Sequence, residues 1–386
     1  MSSAQLKTFQ SQFFVNENLI QLNNAGLQPI PKVALEKVKY WSQRFWEEGV
    51  NTDADYQNDV AHTRRSLAKL IGCETKEVAF FNSTATAITQ MAFSVNLKAG
   101  DEVVMWDQEY GSHIYPWKAA CEEAGAKLVV VESEKNLSTP TEKYLKAITA
   151  KTKVLAFSWV QFQTGAQMDD LQQLIKTAKE KNILVCVDVI QGFGLHECNL
   201  WQWGVDAIMG GSHKWMFSPV GAGFLAVRAN LIAQLKPLII GAQTYGTCDD
   251  PSSLTCEPKR DATKFEPGSK QVLEITAFGA SLDLVHQVGV KTIEAEALRL
   301  GKILREGLRE QGFELSTPFA GEKIHSTPWV NFKPQKNSMT IKEFSQKLNH
   351  HKIFHAIRGP GIRFTTQAFN REDEIAKALK IISQIS

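Results

Sequence analysis

The chain has 386 residues, 43% of them hydrophobic and 22% charged, with 43 Lys and Arg against 41 Asp and Glu. At ~150 residues per domain that length corresponds to two or three folded units. A net charge of +2 supplies no field that would hold a nucleic acid or an acidic membrane face.

No apolar run approaches the ~18 residues of a membrane span, and Met1-Ser2-Ser3-Ala4-Gln5 does not read as a secretory signal. A cytoplasmic protein with a large core is therefore expected. The six cysteines, Cys73, Cys121, Cys186, Cys198, Cys248 and Cys256, form no C-x-x-C pair. Neither a zinc knuckle nor a disulfide scaffold is indicated, and no metal is expected.

In chain order, Leu22-Asn23-Asn24-Ala25-Gly26 leads into Pro29 and Pro31, which favour a helix start. Val33, Ala34, Leu35, Val38, Trp41 and Phe45 then recur at helical spacing, and a second helix is expected around 60–71. Phe80 and Phe81 read as a strand that turns into a helix through Asn82-Ser83-Thr84-Ala85-Thr86. Apolar runs follow at 102–106, 127–131, 154–157, 183–187, 207–209 and 223–227, separated by helix-like stretches. The clearest of these is 168–181, with Leu171, Leu174, Ile175 and Ala178 on one face. Buried strands alternating with helices predict a mostly parallel α/β sheet covered on both faces.

The polar, Pro- and Gly-rich stretch 241–268 breaks this rhythm as a long excursion. A helical run over 272–311, interrupted near Gly289, comes next. Short strands at 329–332 and 361–365 and helices at 341–350 and 372–382 predict a smaller α+β unit at the end.

In an open parallel sheet, ligands bind beyond the carboxyl ends of the strands. The run 183–187 ends in Asp188, followed by Gln191. An acid there is costly unless a cation or donor meets it, although an N-cap role is the plainer reading. The run 207–209 leads into Gly210-Gly211-Ser212-His213-Lys214-Trp215. A lone lysine is usually a solvated charge, but one held between Met209 and Trp215-Met216-Phe217 is desolvated and becomes a usable nucleophile. The Ser83-Thr84-Ala85 helix start is a ready phosphate site or a simple cap.

Gly221-Ala222-Gly223-Phe224-Leu225-Ala226 fits G-x-G-x-x-A, but a strand-like run follows it, so it is rejected as a dinucleotide fingerprint. His350-His351 sits on a polar helix end and reads as solvated. A phosphate-type helix start, an acid at one strand end and a lysine at the next are together what pyridoxal 5'-phosphate requires. The lysine forms the Schiff base, and the acid keeps the pyridine nitrogen protonated.

These motifs resemble the class V aminotransferase family of fold type I pyridoxal-phosphate enzymes, which includes cysteine desulfurases, selenocysteine lyases and isopenicillin N epimerase-like proteins. The resemblance runs from Leu22-Asn23-Asn24-Ala25 through Asp188-Val189-Ile190-Gln191 and Ser212-His213-Lys214-Trp215. It continues to Phe265-Glu266-Pro267-Gly268-Ser269 and Arg363-Phe364-Thr365. It implies a large domain over 21–285 with a mostly parallel seven-stranded sheet, and a small α+β domain from 1–20 and 286–386.

It also implies Lys214 as the Schiff-base lysine, Asp188 as the pyridinium partner and Gln191 on the ring oxygen. Ser83, Thr84 and Ala85 would cradle the phosphate with His213, and Tyr110 would stack on the ring. Ser269 would reach the phosphate of a neighbouring subunit, which implies a homodimer. Arg363 would grip the carboxylate of an amino-acid substrate, with Asn24, Trp159 and Arg358 as further pocket candidates.

This chain departs from the family pattern in three places. Desulfurases carry histidine where Tyr110 stands, and the family often has serine where Gly211 stands, which leaves the role of Ser212 open. Desulfurases also use a cysteine just before the final arginine strand, whereas here no cysteine follows Cys256 and 357–363 leaves no room for that loop. Chemistry at the α carbon of an amino acid is expected, first as an aminotransferase-like activity. The alternatives are a carbon–sulfur β-lyase acting on cysteine or cystine, or an epimerase. A more distant one is a protein that binds the cofactor without turnover.

Overall fold

The computed structural model describes residues 3–14, 16–49, 53–246, 255–319, 323, 326–334, 339–359 and 361–385. Cys248 and Pro360 lie outside them. From the N-terminus run α1 (Ser3–Gln10), β1 (Ile20–Gln21), α2 (Lys32–Glu47), α3 (Asp53–Ile71), β2 (Val78–Phe81) and α4 (Thr84–Ser94). Then come β3 (Glu102–Trp106), α5 (Gly111–Ala124), β4 (Lys127–Val131), α6 (Thr141–Ala147), β5 (Thr152–Ser158) and α7 (Leu171–Glu180). The large sheet is completed by β6 (Leu184–Asp188), β7 (Ala207–Gly211) and β8 (Gly223–Val227), after which the short α8 (Ala229–Ile232) follows. The last third holds α9 (Val272–Val288), α10 (Val290–Glu310), β9 (Glu314–Leu315), β10 (Trp329–Lys333) and α11 (Ile341–His350). It ends with β11 (Ile353–Phe354), β12 (Ala356–Arg358), β13 (Gly361–Thr365) and α12 (Glu372–Ile385).

The large sheet has seven strands in the order β2-β8-β7-β6-β5-β3-β4. β8 runs antiparallel to both of its neighbours, and the other pairings are parallel. Side chains alternate across it with period two. Val104, Trp106, Leu155 and Phe157 join α3, α7 and α9 on one face. Val103, Met105, Val154 and Ala156 join α4 and α5 on the other. The expected sheet, covered on both faces, is what forms.

A four-stranded antiparallel sheet, β12-β13-β10-β9, carries a separate core of Leu304, Phe332, Phe344, Phe364 and Ile382. Ile20 and Leu22 join that core because β1 pairs in parallel with β11.

Several element boundaries differ from the sequence expectation for local reasons. The helix expected over 168–181 begins only at Leu171, because Asp170 is left-handed at φ 51°. The strand expected over 207–209 runs on through Gly210 and Gly211, which keep β7 close to its neighbours. A Cβ at Gly210 would stand 2.6 Å from the Phe224 ring. The long helical run does break at Gly289, whose φ of +86° suits glycine. One difference concerns chemistry: Cys256 is disulfide-bonded, where the cysteine spacing indicated no disulfide scaffold.

Candidate active site

Asp188 is the last residue of β6, and Lys214 lies just beyond the end of the adjacent parallel strand β7. Asp188 is buried; its Oδ1 accepts the Ile190 N–H at 2.9 Å. Burial pushes its carboxyl up, while His113, the Ile190 N–H and Lys214 pull the other way. The Lys214 amine has no hydrogen bond or ion pair among the described residues. Burial pulls it down to about 8, Asp188 opposes that pull, and the like charges of Arg363 and Arg358 add to it. The sequence argument for a desolvated, nucleophilic lysine thus has its physical cause in the fold.

Tyr110 caps α5 and is half exposed. Lys214 Nζ is 5.8 Å from its ring centroid, and Phe162 packs edge-on to the same ring at 5.3 Å.

A helix N-terminus faces the site where β2 turns into α4. Ser83 is the N-cap: its Oγ accepts the Thr86 N–H, and the Thr86 hydroxyl accepts the Ser83 N–H, each at 3.2 Å. The first-turn amides of Thr84 and Ala85 have no acceptor within the helix. The Thr84 hydroxyl is buried without a partner. A Cβ on Gly211 would stand 2.7 Å from Thr84 Oγ1 and 3.5 Å from His213 Cε1. One on Gly223 would stand 2.4 Å from the Ser83 carbonyl carbon. Two glycines therefore let β7 and β8 approach this helix N-terminus closely, with an unsatisfied hydroxyl beside it. Those groups fit an anion, and the whole arrangement fits pyridoxal phosphate. The serine missing at position 211 is linked to the same feature, because Thr84 occupies the space its side chain would need. His213 is held neutral, its ring brought down to about 4 by burial and by Lys214.

The other side of the site comes from the chain ends. Arg363, on β13, is buried and meets no carboxylate among the described residues. Its Nη1 donates to the Phe162 carbonyl and its Nη2 to Asn23 Oδ1 at 3.1 Å, while its Nε has no partner. Burial and the neighbouring Arg358 bring the guanidinium down to about 9. Arg358 is exposed on β12, its Nη1 on the Ile357 carbonyl.

Several expected residues have other occupations. Ser212 is buried, with its hydroxyl on the Pro219 carbonyl, so it ties down a turn. Asn24 donates to the Thr365 carbonyl at 2.6 Å and to Asn370 Oδ1 at 3.0 Å, stitching the two chain ends together. Trp159 is in the core, against Gly192 and His196, rather than on a pocket wall. Gln191 accepts from the Trp215 indole at 2.9 Å and donates to the Ala25 carbonyl at 3.1 Å, leaving one amide hydrogen for a ligand. Ser269 is exposed in a cleft of about 220 Å³ that also holds Asn82, Thr86 and Ile239.

The sequence reading passed over Asn23 and the Glu109–His113 pair. The available signal was local: both adjoin residues that were singled out, Asn24 and Tyr110. No group of His, Cys, Asp and Glu side chains suited to a metal occurs among the described residues.

The family model for aminotransferase class V matches residues 21–357. The chain belongs to the class V aminotransferase family. As a member it is a pyridoxal-phosphate-dependent enzyme. It is 25% identical over 280 residues to a probable cysteine desulfurase of Mycoplasma genitalium, covering 70% of this chain and 67% of that one. Its fold superposes on a cysteine desulfurase of Thermococcus onnurineus with a TM-score of 0.87 at 20% identity, over 98% and 97% of the two chains. It superposes on the cystine C–S lyase C-DES, in complex with its product cysteine persulfide, with a TM-score of 0.86 at 19% identity, over 96% and 98%. These relatives carry names from carbon–sulfur chemistry, whereas the sequence reading puts transamination first.

Proposed function

We propose that this class V enzyme is a carbon–sulfur β-lyase acting on cysteine- or cystine-like amino acids. The observation that carries this reading is the distribution and state of the cysteines. A desulfurase keeps a reactive cysteine for the leaving sulfur, but no cysteine follows Cys256, and Cys256 is disulfide-bonded. Burial pushes the free thiols of Cys73 and Cys198 to about 12 and that of Cys121 to about 11, with Cys186 well above its ordinary value. A thiol at those values is a poor nucleophile at neutral pH. Sulfur released here therefore has no enzyme thiolate among the described residues to receive it, which supports elimination into solution.

When bound, pyridoxal phosphate supplies an electron sink for the pair released at the substrate α carbon. The protein's own groups divide the remaining work. Arg363, without a counter-charge and with a free Nε, holds the α-carboxylate. Lys214, with an amine at about 8, anchors the cofactor and then takes the α proton as general base. Asp188 holds the ring-nitrogen proton, the remaining Gln191 amide hydrogen meets the ring oxygen, and Tyr110 flanks the ring. Ser83, Thr84, Ala85 and His213 surround the phosphate, and Arg358 lines the entrance.

A homodimer belongs to this proposal, with Ser269 completing the neighbouring phosphate site. Its support is that Leu238, Ile239 and Ile240 are 48%, 61% and 62% exposed, and Leu238 and Ile239 line the same cleft as Ser269. So do the division into 21–285 against 1–20 and 286–386, supported by the separate small-sheet core, and a cytoplasmic location. No helix among the described residues is long and apolar enough to cross a membrane.

The test is to incubate the enzyme with L-cystine or L-cysteine and assay the products. Pyruvate and ammonia with released persulfide or sulfide, and no need for an oxo-acid acceptor, is the expected result. Alanine with a protein-bound persulfide would mean a desulfurase, and a requirement for an oxo acid would mean a transaminase. Either would overturn the proposal.

A further inference from the structure

Beside the site lies a buried charged pair that the proposed chemistry does not use. His113, in the first turn of α5, has no exposed surface. Its Nδ1 donates to Glu109 Oε2 at 2.8 Å, and its Nε2 is buried without a partner. Glu109 is fixed in turn: its Oε1 accepts the Ser158 N–H at 2.6 Å, and its Oε2 accepts the Ser158 hydroxyl. Ser158 ends β5 and pairs directly with Asp188 at the end of β6. The His113 N–H donates to the Tyr110 carbonyl at 2.8 Å, so the same segment carries the ring that flanks Lys214. An unbroken chain of contacts thus runs from His113 through Glu109 and Ser158 to the strand position of Asp188.

The charges make sense of this arrangement. A buried imidazole ordinarily stays neutral, and burial, the largest influence on His113, does pull it that way. The Glu109 charge and hydrogen bond and the Asp188 charge outweigh burial, so His113 titrates above its ordinary value. Asp188 has the opposite difficulty. Burial pushes its carboxyl up, and among the charges that act on it His113 is the strongest attraction, ahead of Lys214, with Glu109 opposing. A carboxylate so buried needs a nearby positive charge to stay ionised, and Lys214 at about 8 is no permanent source of one.

We infer that His113, held in place and charged by Glu109, is a positioning residue that keeps the Asp188 carboxylate ionised for the cofactor's ring nitrogen. The inference rests on the proposed reading of Asp188 as the pyridinium partner, and its test separates the two.

The full-length protein is stripped of cofactor, and the affinities for pyridoxal phosphate and for its deaza analogue, with a CH in place of the ring nitrogen, are measured across pH. Wild-type protein is expected to prefer pyridoxal phosphate. His113→Asn keeps a donor at the Nδ1 position but carries no charge, and Glu109→Gln is nearly isosteric but removes the charge that holds His113 protonated. His113→Asn is expected to weaken pyridoxal phosphate binding at least tenfold while leaving the analogue within about threefold, and Glu109→Gln to act in the same direction but less, because it also removes the charge that opposes Asp188. The pH below which the preference disappears is expected to move up, because Asp188 loses its strongest attraction. Equal weakening of both ligands, as a merely structural role gives, would overturn the inference, as would no weakening of either. A wild-type protein that shows no preference for the ring nitrogen would overturn the reading of Asp188 itself.

Discussion

The two walls of the site are held in opposite electrostatic states. On the sheet side, Lys214 has Asp188, Asp188 has His113, and His113 has Glu109, so each charge has an answer within the protein. On the side made from the chain ends, Arg363 is buried with carbonyl and amide oxygens as its partners and a free Nε, and Arg358 adds repulsion. A buried charge without a partner is costly, so a fold that keeps one is set to gain when an anion arrives. In the proposed function the first wall holds the cofactor through many turnovers, and each substrate carboxylate completes the second.

That contrast can be broken by substitutions on either wall. The largest effect is expected at Lys214. Lys214→Ala removes both anchor and base, and turnover should fall by roughly 10³-fold or more, in line with the loss of general base catalysis together with covalent anchoring. Steady-state pyruvate release checks it, and retention of more than a tenth of wild-type activity would remove Lys214 from its role.

Arg363→Lys keeps the charge but loses the planar fork, at a cost of about 1.5–3 kcal/mol for hydrogen bonds to a charged group. KM should rise about tenfold to a hundredfold while cofactor affinity stays put. A loss of cofactor affinity as large as the rise in KM would mean that the two walls are not separate.

Gly211→Ala attacks the sheet wall instead. Its Cβ would come within 2.7 Å of Thr84 Oγ1, and crowding of this kind costs about 1–3 kcal/mol. Cofactor affinity should fall about tenfold with KM for the amino acid little changed, as equilibrium dialysis against pyridoxal phosphate would reveal.

The same division decides how much could be read from the sequence. The sheet wall is local: Asp188 and Lys214 each lie within a few residues of a strand end, and the Ser83 cap adjoins a strand. Hydrophobic periodicity finds such strand ends, so these residues were legible, as were the seven-stranded sheet and the break at Gly289. The chain-end wall depends on contacts between residues hundreds of positions apart, such as Asn23 with Arg363 and Asn24 with Thr365. No periodicity reports such a pairing. Asn24 reads as a pocket candidate in the sequence while its amide stitches the two chain ends, and Asn23, which touches the arginine, has no pattern that singles it out. Trp159, a pocket candidate in the sequence, packs in the core for a related reason: beyond the end of β5, one position separates one side of the chain from the other. His113 escaped notice because a histidine in a helix has no pattern of its own, and its meaning comes from a glutamate one turn away and an aspartate on another strand.

The smallest expected effect tests whether the two walls sense each other at all. The Lys214 amine at about 8 is pulled up by Asp188 and pushed down by Arg363 and Arg358 across the cleft. Cofactor uptake by the stripped protein requires the neutral amine, so its rate should rise about tenfold per pH unit below that value and level off above it. Removing a positive neighbour makes protonation easier, so Arg363→Met should move the inflection to higher pH. Removing the negative one makes it harder, so Asp188→Asn should move it to lower pH. Stopped-flow absorbance during uptake measures both. Opposite displacements would mean that the carboxylate-binding wall tunes the lysine it faces, which loses that repulsion when a substrate carboxylate neutralises Arg363. The amine would then be most basic when a proton has to be taken from the α carbon. If Arg363→Met left the inflection in place, the coupling would belong to Asp188 alone, and the two walls would act on substrate and cofactor independently.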